Sequence, residues 1–177
     1  MQLTRTIIAA LSPAILLGGC ATLEDVPTAR VGSAQLKQAN GVPAGTVQLY
    51  QANGELRISG AFAGLRAGSH GFHLHTTGRC DAPDFTTAGG HLNPTGAEHG
   101  TQNPNGAHLG DLPNLIINAN GTGNITATVS ENEDAALAAI FDADGTAVMI
   151  HQGPDDYVSD PAGDAGPRIA CGIIRSS

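Results

Sequence analysis

The chain has 177 residues with 24 glycines and 10 prolines, and only 3% of its residues are aromatic and 14% charged. This length suits a single domain with a sizeable core, and the composition is typical of a turn-rich β protein rather than a helical bundle. The formal net charge of −8 at pH 7 disfavours nucleic acid as a partner, because nucleic-acid binding depends on clustered lysine and arginine.

Residues 1–19 have the pattern of a lipoprotein signal peptide. Arg5 supplies a positive charge, a mostly apolar stretch follows it, and Leu-Gly-Gly stands directly before Cys20. This junction is similar to a bacterial lipobox, in which the cysteine carries lipid and becomes the first residue of the mature protein. Ala21 stands where such signals commonly carry Asp for inner-membrane retention, which favours the outer membrane.

We therefore predict that residues 20–30 form a lipidated tether and that residues 31–177 form the folded domain. The protein is expected to be exported, as a periplasmic or cell-surface lipoprotein whose only membrane contact is the lipid on Cys20. An ordinary signal peptide with an incidental cysteine is the alternative. Lipidation of Cys20 would leave Cys80 and Cys171 able to pair in an oxidising compartment.

About eight short runs of alternating apolar and polar residues predict β-strands. Asn-Gly and Asp-Gly pairs separate several of them, which indicates tight hairpins. The predicted strands are 31–37, 46–51, 55–62, 71–75, 115–118, 124–130, 146–151 and 168–174. Residues 131–139 fit either one helical turn or a polar connection. The pattern predicts an all-β fold, an antiparallel β-sandwich or flattened barrel of about eight strands.

Two long stretches without periodicity interrupt this pattern, at residues 76–113 and 152–167. Such stretches in a compact domain usually carry function. Four of the seven histidines lie in the first stretch or at its edges, and His151 stands directly before the second, so we expect both to be functional loops.

The spacing of the histidines indicates a metal centre. His73 and His75 are two residues apart in a predicted strand and therefore project from the same face. His151 ends another strand, and the first long loop offers His91, His99 and His108, with Asp111 three residues later. Imidazole ligands suit copper and zinc, and three histidines with one aspartate suit a closed tetrahedral zinc site. If one imidazole is shared, the same residues form two adjacent sites.

Five motifs together resemble the copper–zinc superoxide dismutase family, in its order and roughly its spacing, from about Val31 to Ile174. They are Gly71-Phe-His-Leu-His75, Ala88-Gly-Gly-His91-Leu-Asn-Pro94, His108-Leu-Gly-Asp111-Leu, His151-Gln-Gly-Pro-Asp155-Asp156 and Gly166-Pro-Arg168-Ile-Ala-Cys171-Gly172. The resemblance implies a Greek-key β-sandwich, copper and zinc as cofactors and superoxide as the substrate. It leaves open whether the protein is a monomer or a homodimer.

The resemblance also implies a role for each matching residue. The copper ligands would be His73, His75, His91 and His151. The zinc ligands would be His91, His99, His108 and Asp111, with the His91 imidazolate bridging the two metals. Asp155 would accept hydrogen bonds from one copper and one zinc histidine, Arg168 would guide and hold the anion, and Cys80 would be bonded to Cys171. His70 and Asp156 match no functional position of the family, so we expect structural or surface roles for them.

The implied reaction converts superoxide to dioxygen and hydrogen peroxide by redox cycling of the histidine-bound copper, with His91 supplying a proton. Two other classes compete with this interpretation, namely an inactive metal-binding or metallochaperone module on the same fold and a purely structural lipoprotein. The chain departs from many relatives between Gln152 and Pro167, where it has four aspartates and no lysine or arginine. This departure puts electrostatic steering of the substrate in doubt but leaves the metal ligands intact.

Overall fold

The computed structural model describes residues 29–177, so the predicted signal peptide and most of the predicted tether lie outside the described residues. The first strand begins at Ala29, two residues before the predicted start of the domain. Within residues 29–177, no helix is long and apolar enough to span a membrane.

The regular secondary structure of the described residues consists mainly of ten strands. They are β1 Ala29–Gln38, β2 Pro43–Ala52, β3 Glu55–Ala63, β4 Gly68–His70, β5 Phe72–His75, β6 Leu115–Ile117, β7 Thr122–Ser130, β8 Ala147–His151, β9 Arg168–Ile173 and β10 Arg175–Ser176. One α-helix, α1 Glu133–Ile140, connects β7 to β8, and a short 3-10 helix covers Thr86–Ala88.

The strands form a curled antiparallel sheet in the order β5-β8-β9-β1-β2-β3-β7, with β10 beside β1, and β4 and β6 form a second pair. A tight turn from Asn118 to Thr122 joins β6 to the β7 edge, and Gly71 alone separates β4 from β5 at the opposite edge. The β4–β6 pair therefore connects the two edges, and the path from β3 to β4 passes over β6 and β7. The predicted all-β Greek-key fold is confirmed.

The core lies inside the curl of the sheet, where alternate residues of the strands meet. Leu36, Val47, Leu49 and Ile58 point inward and are buried, whereas their neighbours along each strand are more exposed. This is the alternation expected of a sheet with one face on the core. Strand β8 differs, because all five of its residues are buried.

Two local predictions have clear outcomes. Asn53 and Gly54 join β2 to β3 with positive φ angles of 55° and 82°, which is the turn that an Asn-Gly pair predicts. Residues 131–139, for which helix and connection both remained open, contain most of α1. The helix forms because Asn132 caps it by accepting a hydrogen bond from the Ala135 N–H at 3.2 Å, and because Ala136 and Ile140 are buried.

The predicted strand 71–75 corresponds to β5, which begins one residue later at Phe72, but the pattern did not predict β4, which ends at His70 directly before Gly71. Gly71 donates to the Gly153 carbonyl at 2.7 Å and accepts from the His151 N–H at 2.8 Å, so the second long loop and β8 hold it between β4 and β5. A Cβ at this position would approach the Ala165 side chain to 2.8 Å, which explains why glycine occupies it. The break lets the chain pass from one sheet to the other just before the histidine pair.

A disulfide bond between Cys80 and Cys171 fastens the first long loop to β9, with the two Cα atoms 5.7 Å apart. The predicted disulfide is therefore confirmed. The bond joins residues 91 positions apart, and a loop of that length corresponds to about 4–5 kcal/mol of stabilisation on the chain-entropy model. It also fixes the loop segment that contacts Arg168.

Candidate metal centre

The side chains of strand β5 alternate between the hydrophobic core and the candidate metal centre. All four are buried, but Phe72 and Leu74 belong to the hydrophobic core, whereas His73 and His75 project from the opposite face. Strand β8 pairs antiparallel with β5 and ends at His151. The ring centroids of His151 and His73 are therefore only 5.0 Å apart. The strands alone thus assemble three of the histidines.

The first long loop returns to β5 and adds a fourth histidine. The Leu92 N–H donates to the Leu74 carbonyl at 2.8 Å, the Leu74 N–H donates to the Gly110 carbonyl at 3.0 Å, and the Gly110 N–H donates to the Leu92 carbonyl at 2.9 Å. These bonds align His91 beside His75 and Asp111 beside His73. A side chain at Gly110 would collide with the Leu74 carbonyl oxygen, so this return path requires glycine there.

Each predicted ligand set is brought together in the structure. One ligand atom from every member of the first set, and one from every member of the second, lie within 4.8 Å of one another. The first set is His73, His75, His91 and His151, and the second set is His91, His99, His108 and Asp111. His91 is the shared member, and all seven side chains are buried.

The second set has the dimensions of a tetrahedral zinc site. Asp111 Oδ1 lies 2.8 Å from His91 Nδ1 and 3.1 Å from the Nδ1 atoms of both His99 and His108. The Nδ1 atoms of His91 and His108 are 3.4 Å apart. Ligands at about 2.0–2.1 Å from a tetrahedral zinc ion would be separated by roughly 3.3 Å. The donor atoms therefore fit zinc in both chemical type and spacing.

The first set presents four buried nitrogens that have no hydrogen-bond partner. They are His73 Nδ1, His75 Nε2, His91 Nε2 and His151 Nε2. Buried polar atoms are rarely left unpaired, so four of them in one donor set fit a metal ion as their shared partner. An all-imidazole set suits copper.

The opposite ring nitrogens select the tautomers that bind metal. His75 Nδ1–H donates to the Gly89 carbonyl at 2.9 Å, and His151 Nδ1–H donates to the Gly166 carbonyl at 2.9 Å. Because a neutral imidazole has one N–H and one lone pair, each of these rings presents its Nε2 lone pair to the centre. Such bonds also fix the orientation of each ring.

Asp155 connects the two sets. His73 Nε2–H donates to Asp155 Oδ2 at 2.8 Å, and His99 Nε2–H donates to Asp155 Oδ1 at 3.0 Å. These bonds direct the Nδ1 atom of His73 to the first set and that of His99 to the second. A side chain at Gly163 would collide with both Asp155 Oδ1 and His99 Nε2, a requirement that the sequence pattern did not reveal.

Burial favours the neutral form of three histidines of the centre. It is the largest cause that lowers the pKa of His75 to about 2 and that of His151 to about 3. Burial also lowers the pKa of His91 to about 4, although its hydrogen bond to Asp111 acts in the opposite direction. Neutral rings are the form that binds metal.

The two carboxylates of the centre stay ionised. Burial by itself would raise the pKa of Asp155, but hydrogen bonds from His73, His99 and the Tyr157 N–H outweigh it and lower the pKa to about 2. In Asp111 the hydrogen bonds from His91 and from the N–H groups of Gly100 and His108 likewise outweigh burial and hold the pKa well below its ordinary value.

Arg168 lies at the open side of the first set. It lines a cavity of about 310 Å³ together with His75, His91, His151 and neighbouring residues, and it is the only lysine or arginine among the residues that line it. Its Nη1 donates to the Phe85 carbonyl at 2.7 Å and its Nη2 to the Gly89 carbonyl at 2.6 Å. Gly89 O thus accepts from both Arg168 and His75, a connection that the sequence pattern did not indicate.

The residues predicted to lie outside the centre do so. The two ring nitrogens of His70 lie 2.8 Å from the carbonyl oxygens of His151 and Arg66, so this buried histidine contacts the backbone and belongs to neither set. Asp156 is exposed, and its carboxylate accepts from the N–H groups of Val158 and Ser159 within its own loop.

Comparison with known proteins identifies the family. The model of the copper/zinc superoxide dismutase family matches residues 43–174, about three quarters of the chain. The chain belongs to this family. Its relatives include superoxide dismutase [Cu-Zn] 2 of Aquifex aeolicus, which is 48% identical over 109 residues, or 59% of this chain and 62% of that protein. The superoxide dismutase-like protein YojM of Bacillus subtilis is 43% identical over 62% of this chain and 58% of its own length.

Solved structures give the same result over more of the chain. A SOD-like protein from Bacillus subtilis has a TM-score of 0.75 and 39% identity, and the match covers 82% of this chain and 99% of that one. The Cu/Zn superoxide dismutase from Brucella abortus has a TM-score of 0.66 and 29% identity, covering 84% of this chain and 100% of that one. The sequence matches, in contrast, span less than two thirds of the Aquifex and Bacillus proteins.

The lowered histidine pKa values predict that the metal-free domain is acid-sensitive. As pH falls below the ordinary histidine pKa of 6.5, the unfolded chain gains protons that folded His75, His91 and His151 resist until about pH 4 or lower. The free energy of unfolding should therefore decrease by up to about 1.4 kcal/mol per pH unit for each histidine. Urea unfolding of chelator-treated protein at pH 7, 6 and 5 measures this decrease, and equal values at the three pH values would contradict it.

Proposed function

We propose that this protein is a superoxide dismutase, which converts two superoxide anions and two protons into dioxygen and hydrogen peroxide. The observation that carries the proposal is the pair of donor sets that share His91, with four unpaired nitrogens in the first set and the Arg168 guanidinium beside it. Family membership supports the same reaction.

The proposed metal assignment follows the donor chemistry. His73, His75, His91 and His151 would hold copper, and His91, His99, His108 and Asp111 would hold zinc. When bound, copper supplies one-electron exchange with superoxide, and zinc supplies the positive charge that favours a deprotonated His91 bridge. The unpaired nitrogens and the spacing in the second set fit these ions.

Arg168 would bind and orient the anion. A guanidinium has five N–H donors and remains charged at ordinary pH, even though burial lowers the pKa of Arg168. Its two carbonyl contacts hold the group still, and the donors that remain can reach an anion in the cavity that Arg168 shares with His91 and His151.

His91 would hold and release a proton at Nε2. This nitrogen is buried and has no partner, and it belongs to the set that lines the cavity. Formation of hydrogen peroxide consumes protons, so a ring nitrogen beside the anion can deliver one. With its Nδ1 held in the second donor set beside Asp111, the ring would keep its orientation while the proton moves at Nε2.

Substitution of one ligand from each set tests the assignment. His151→Ala should abolish superoxide consumption and copper retention but leave zinc largely bound, because His151 belongs to the first set only. His99→Ala is the matched variant and should lose zinc preferentially, because it belongs to the second set only. Metal analysis together with a superoxide-consumption assay measures both effects.

The wild-type protein serves as the control in the same assay. Copper and zinc bound at about one each, with rapid loss of superoxide, is the expected result. Both metals bound without superoxide loss would instead identify a metal-binding module. A wild type that stays inactive after copper loading would contradict the proposed function.

The charges around the cavity predict weak long-range attraction of superoxide. Arg168 is its only basic lining residue, Arg79 is paired with Asp81 at 2.6 Å, and the loop from Gln152 to Pro167 has four aspartates. Charged clefts can raise on-rates ~10-fold or more, and superoxide dismutase is a known example of such steering. Interactions between exposed charges are screened beyond ~8 Å at physiological salt. We therefore expect kcat/KM to stay flat or rise slightly between low and physiological ionic strength.

A steep decrease of kcat/KM with salt would contradict weak attraction. It would show that basic side chains form a positive entrance to the cavity. Arg66→Ser and Arg79→Ser would then identify which of the two exposed arginines contributes to the attraction.

We also propose that the protein is exported and anchored through lipid on Cys20, as an outer-membrane lipoprotein. The Leu-Gly-Gly-Cys junction and Ala21 support this location. Cys20→Ser should leave the protein unlipidated, so that membrane fractionation separates the variant from the wild type. Wild-type protein found wholly in the soluble periplasmic or secreted fraction would contradict the proposal.

A further inference from the structure

The position of Asp155 matters to both donor sets. Its two carboxylate oxygens each accept from one histidine, His73 in the first set and His99 in the second. A shift of this carboxylate would turn both rings and move both Nδ1 atoms. Whatever fixes Asp155 therefore contributes to the geometry of two metal sites at once.

Asn114 holds the backbone of Asp155 from one side. Asn114 Oδ1 accepts from the Asp155 N–H at 2.8 Å, and Asn114 Nδ2 donates to the Asp155 carbonyl at 2.9 Å. These two bonds close a ring between one side-chain amide and one backbone residue. Asn114 stands directly before β6, so it ties Asp155 to the rigid part of the fold across 41 residues of sequence.

Tyr157 holds the carboxylate of Asp155 from the other side. The Tyr157 N–H donates to Asp155 Oδ1 at 2.6 Å, and the Tyr157 hydroxyl oxygen accepts from the Asn114 N–H at 2.9 Å. The Tyr157 carbonyl accepts from the Gln102 N–H at 3.1 Å, which adds the segment after His99. Tyr157 has a φ of 66°, a left-handed conformation that costs a non-glycine residue energy and persists where surrounding contacts enforce it.

We infer that Asn114 and Tyr157 act as a clamp that positions Asp155 and, through it, donor atoms of both metal sets. Every pair among Asn114, Asp155 and Tyr157 is hydrogen-bonded, so the three residues form a closed triangle. Neither member of the clamp touches a ligand nitrogen directly, so both are positioning residues. The inference rests on the proposed copper and zinc sites.

The hydroxyl group of Tyr157 provides the most selective test. Tyr157→Phe keeps the ring and the backbone bonds but removes the acceptor of the Asn114 N–H. Loss of groups bonded directly to metal ligands typically weakens metal binding 10–100-fold, so for a group one step further away we expect about tenfold weaker binding of both copper and zinc. Because Asp155 serves both sets, the two affinities should decrease together.

The protein offers a matched control in its other tyrosine. Tyr50 lies on β2, and its hydroxyl is hydrogen-bonded to Gln48, away from both sets. Tyr50→Phe removes the same atom and should leave both affinities unchanged. Asn114→Ala is a second variant of the clamp, and it should weaken both sites at least as much as Tyr157→Phe.

The experiment measures copper and zinc dissociation constants by competition with chelators. It also records the copper(II) paramagnetic resonance spectrum and the visible absorption spectrum of cobalt(II) in the zinc site, both at saturating metal. A purely structural role would lower thermal stability but leave the spectra of the saturated protein unchanged. We expect both spectra to shift in Tyr157→Phe and neither to shift in Tyr50→Phe.

The outcomes separate this inference from the proposed function. A wild type that fails to bind copper and zinc in the two sets would contradict the proposed sites. A wild type that binds both, with unchanged affinities and spectra in Tyr157→Phe, would overturn the clamp. A change confined to one of the two sites would also overturn it, because Asp155 bonds a histidine of each.

Discussion

The centre depends on one imidazole, that of His91, whose two ring nitrogens belong to different sets of donors. Nδ1 lies 2.8 Å from Asp111 Oδ1, and Nε2 lies among the unpaired nitrogens of the first set. A ring can serve both sides only if its plane and its distance from both groups are fixed together. Three features fix the position of this ring. They are the return of the first long loop to β5, the position of Asp111 and the disulfide that fastens the loop.

The metal centre lowers the stability of the folded state when no metal is bound. Six histidines and one aspartate are buried together, and five ring nitrogens among them have no hydrogen-bond partner. A buried donor or acceptor without a partner costs roughly 1–3 kcal/mol, so the sheet and the disulfide must stabilise an unfavourable arrangement. Metal binding would remove most of this cost, which couples metal affinity to folding. The burial that lowers the histidine pKa values thus also prepares the rings for metal.

The sequence revealed the strands and the ligand types because both follow short-range rules. Alternation of apolar and polar residues marked most of the strands, and the two-residue spacing of His73 and His75 placed both rings on one face. The sequence did not reveal β4, because the three residues from Gly68 to His70 are too few to show alternation. It left α1 undecided, because eight residues with only Ala136 and Ile140 buried give a weak helical pattern.

The sequence pattern does not indicate the residues that support the metal ligands. Gly110 and Gly163 matter because other groups approach their backbone closely, and Asn114 matters because it bonds a residue 41 positions away. Such contacts exist only once the two long loops have been placed, and loops have no periodicity that predicts their path. Motifs therefore indicated the ligands but not the groups that orient them.

The positive charge of Arg168 and the ring of His75 are held in place by the same loop. In a chain with a net charge of −8, we expect a positive group beside the centre to act at short range, because salt screens the attraction of an anion from a distance. The Gly89 carbonyl accepts from both Arg168 Nη2 and His75 Nδ1, so the guanidinium and a ring of the first set are positioned against the same oxygen atom. A movement of the loop at Gly89 would displace both groups together. The disulfide restrains that loop, so besides stabilising the fold it would also fix where the proposed anion site lies relative to the ring of His75.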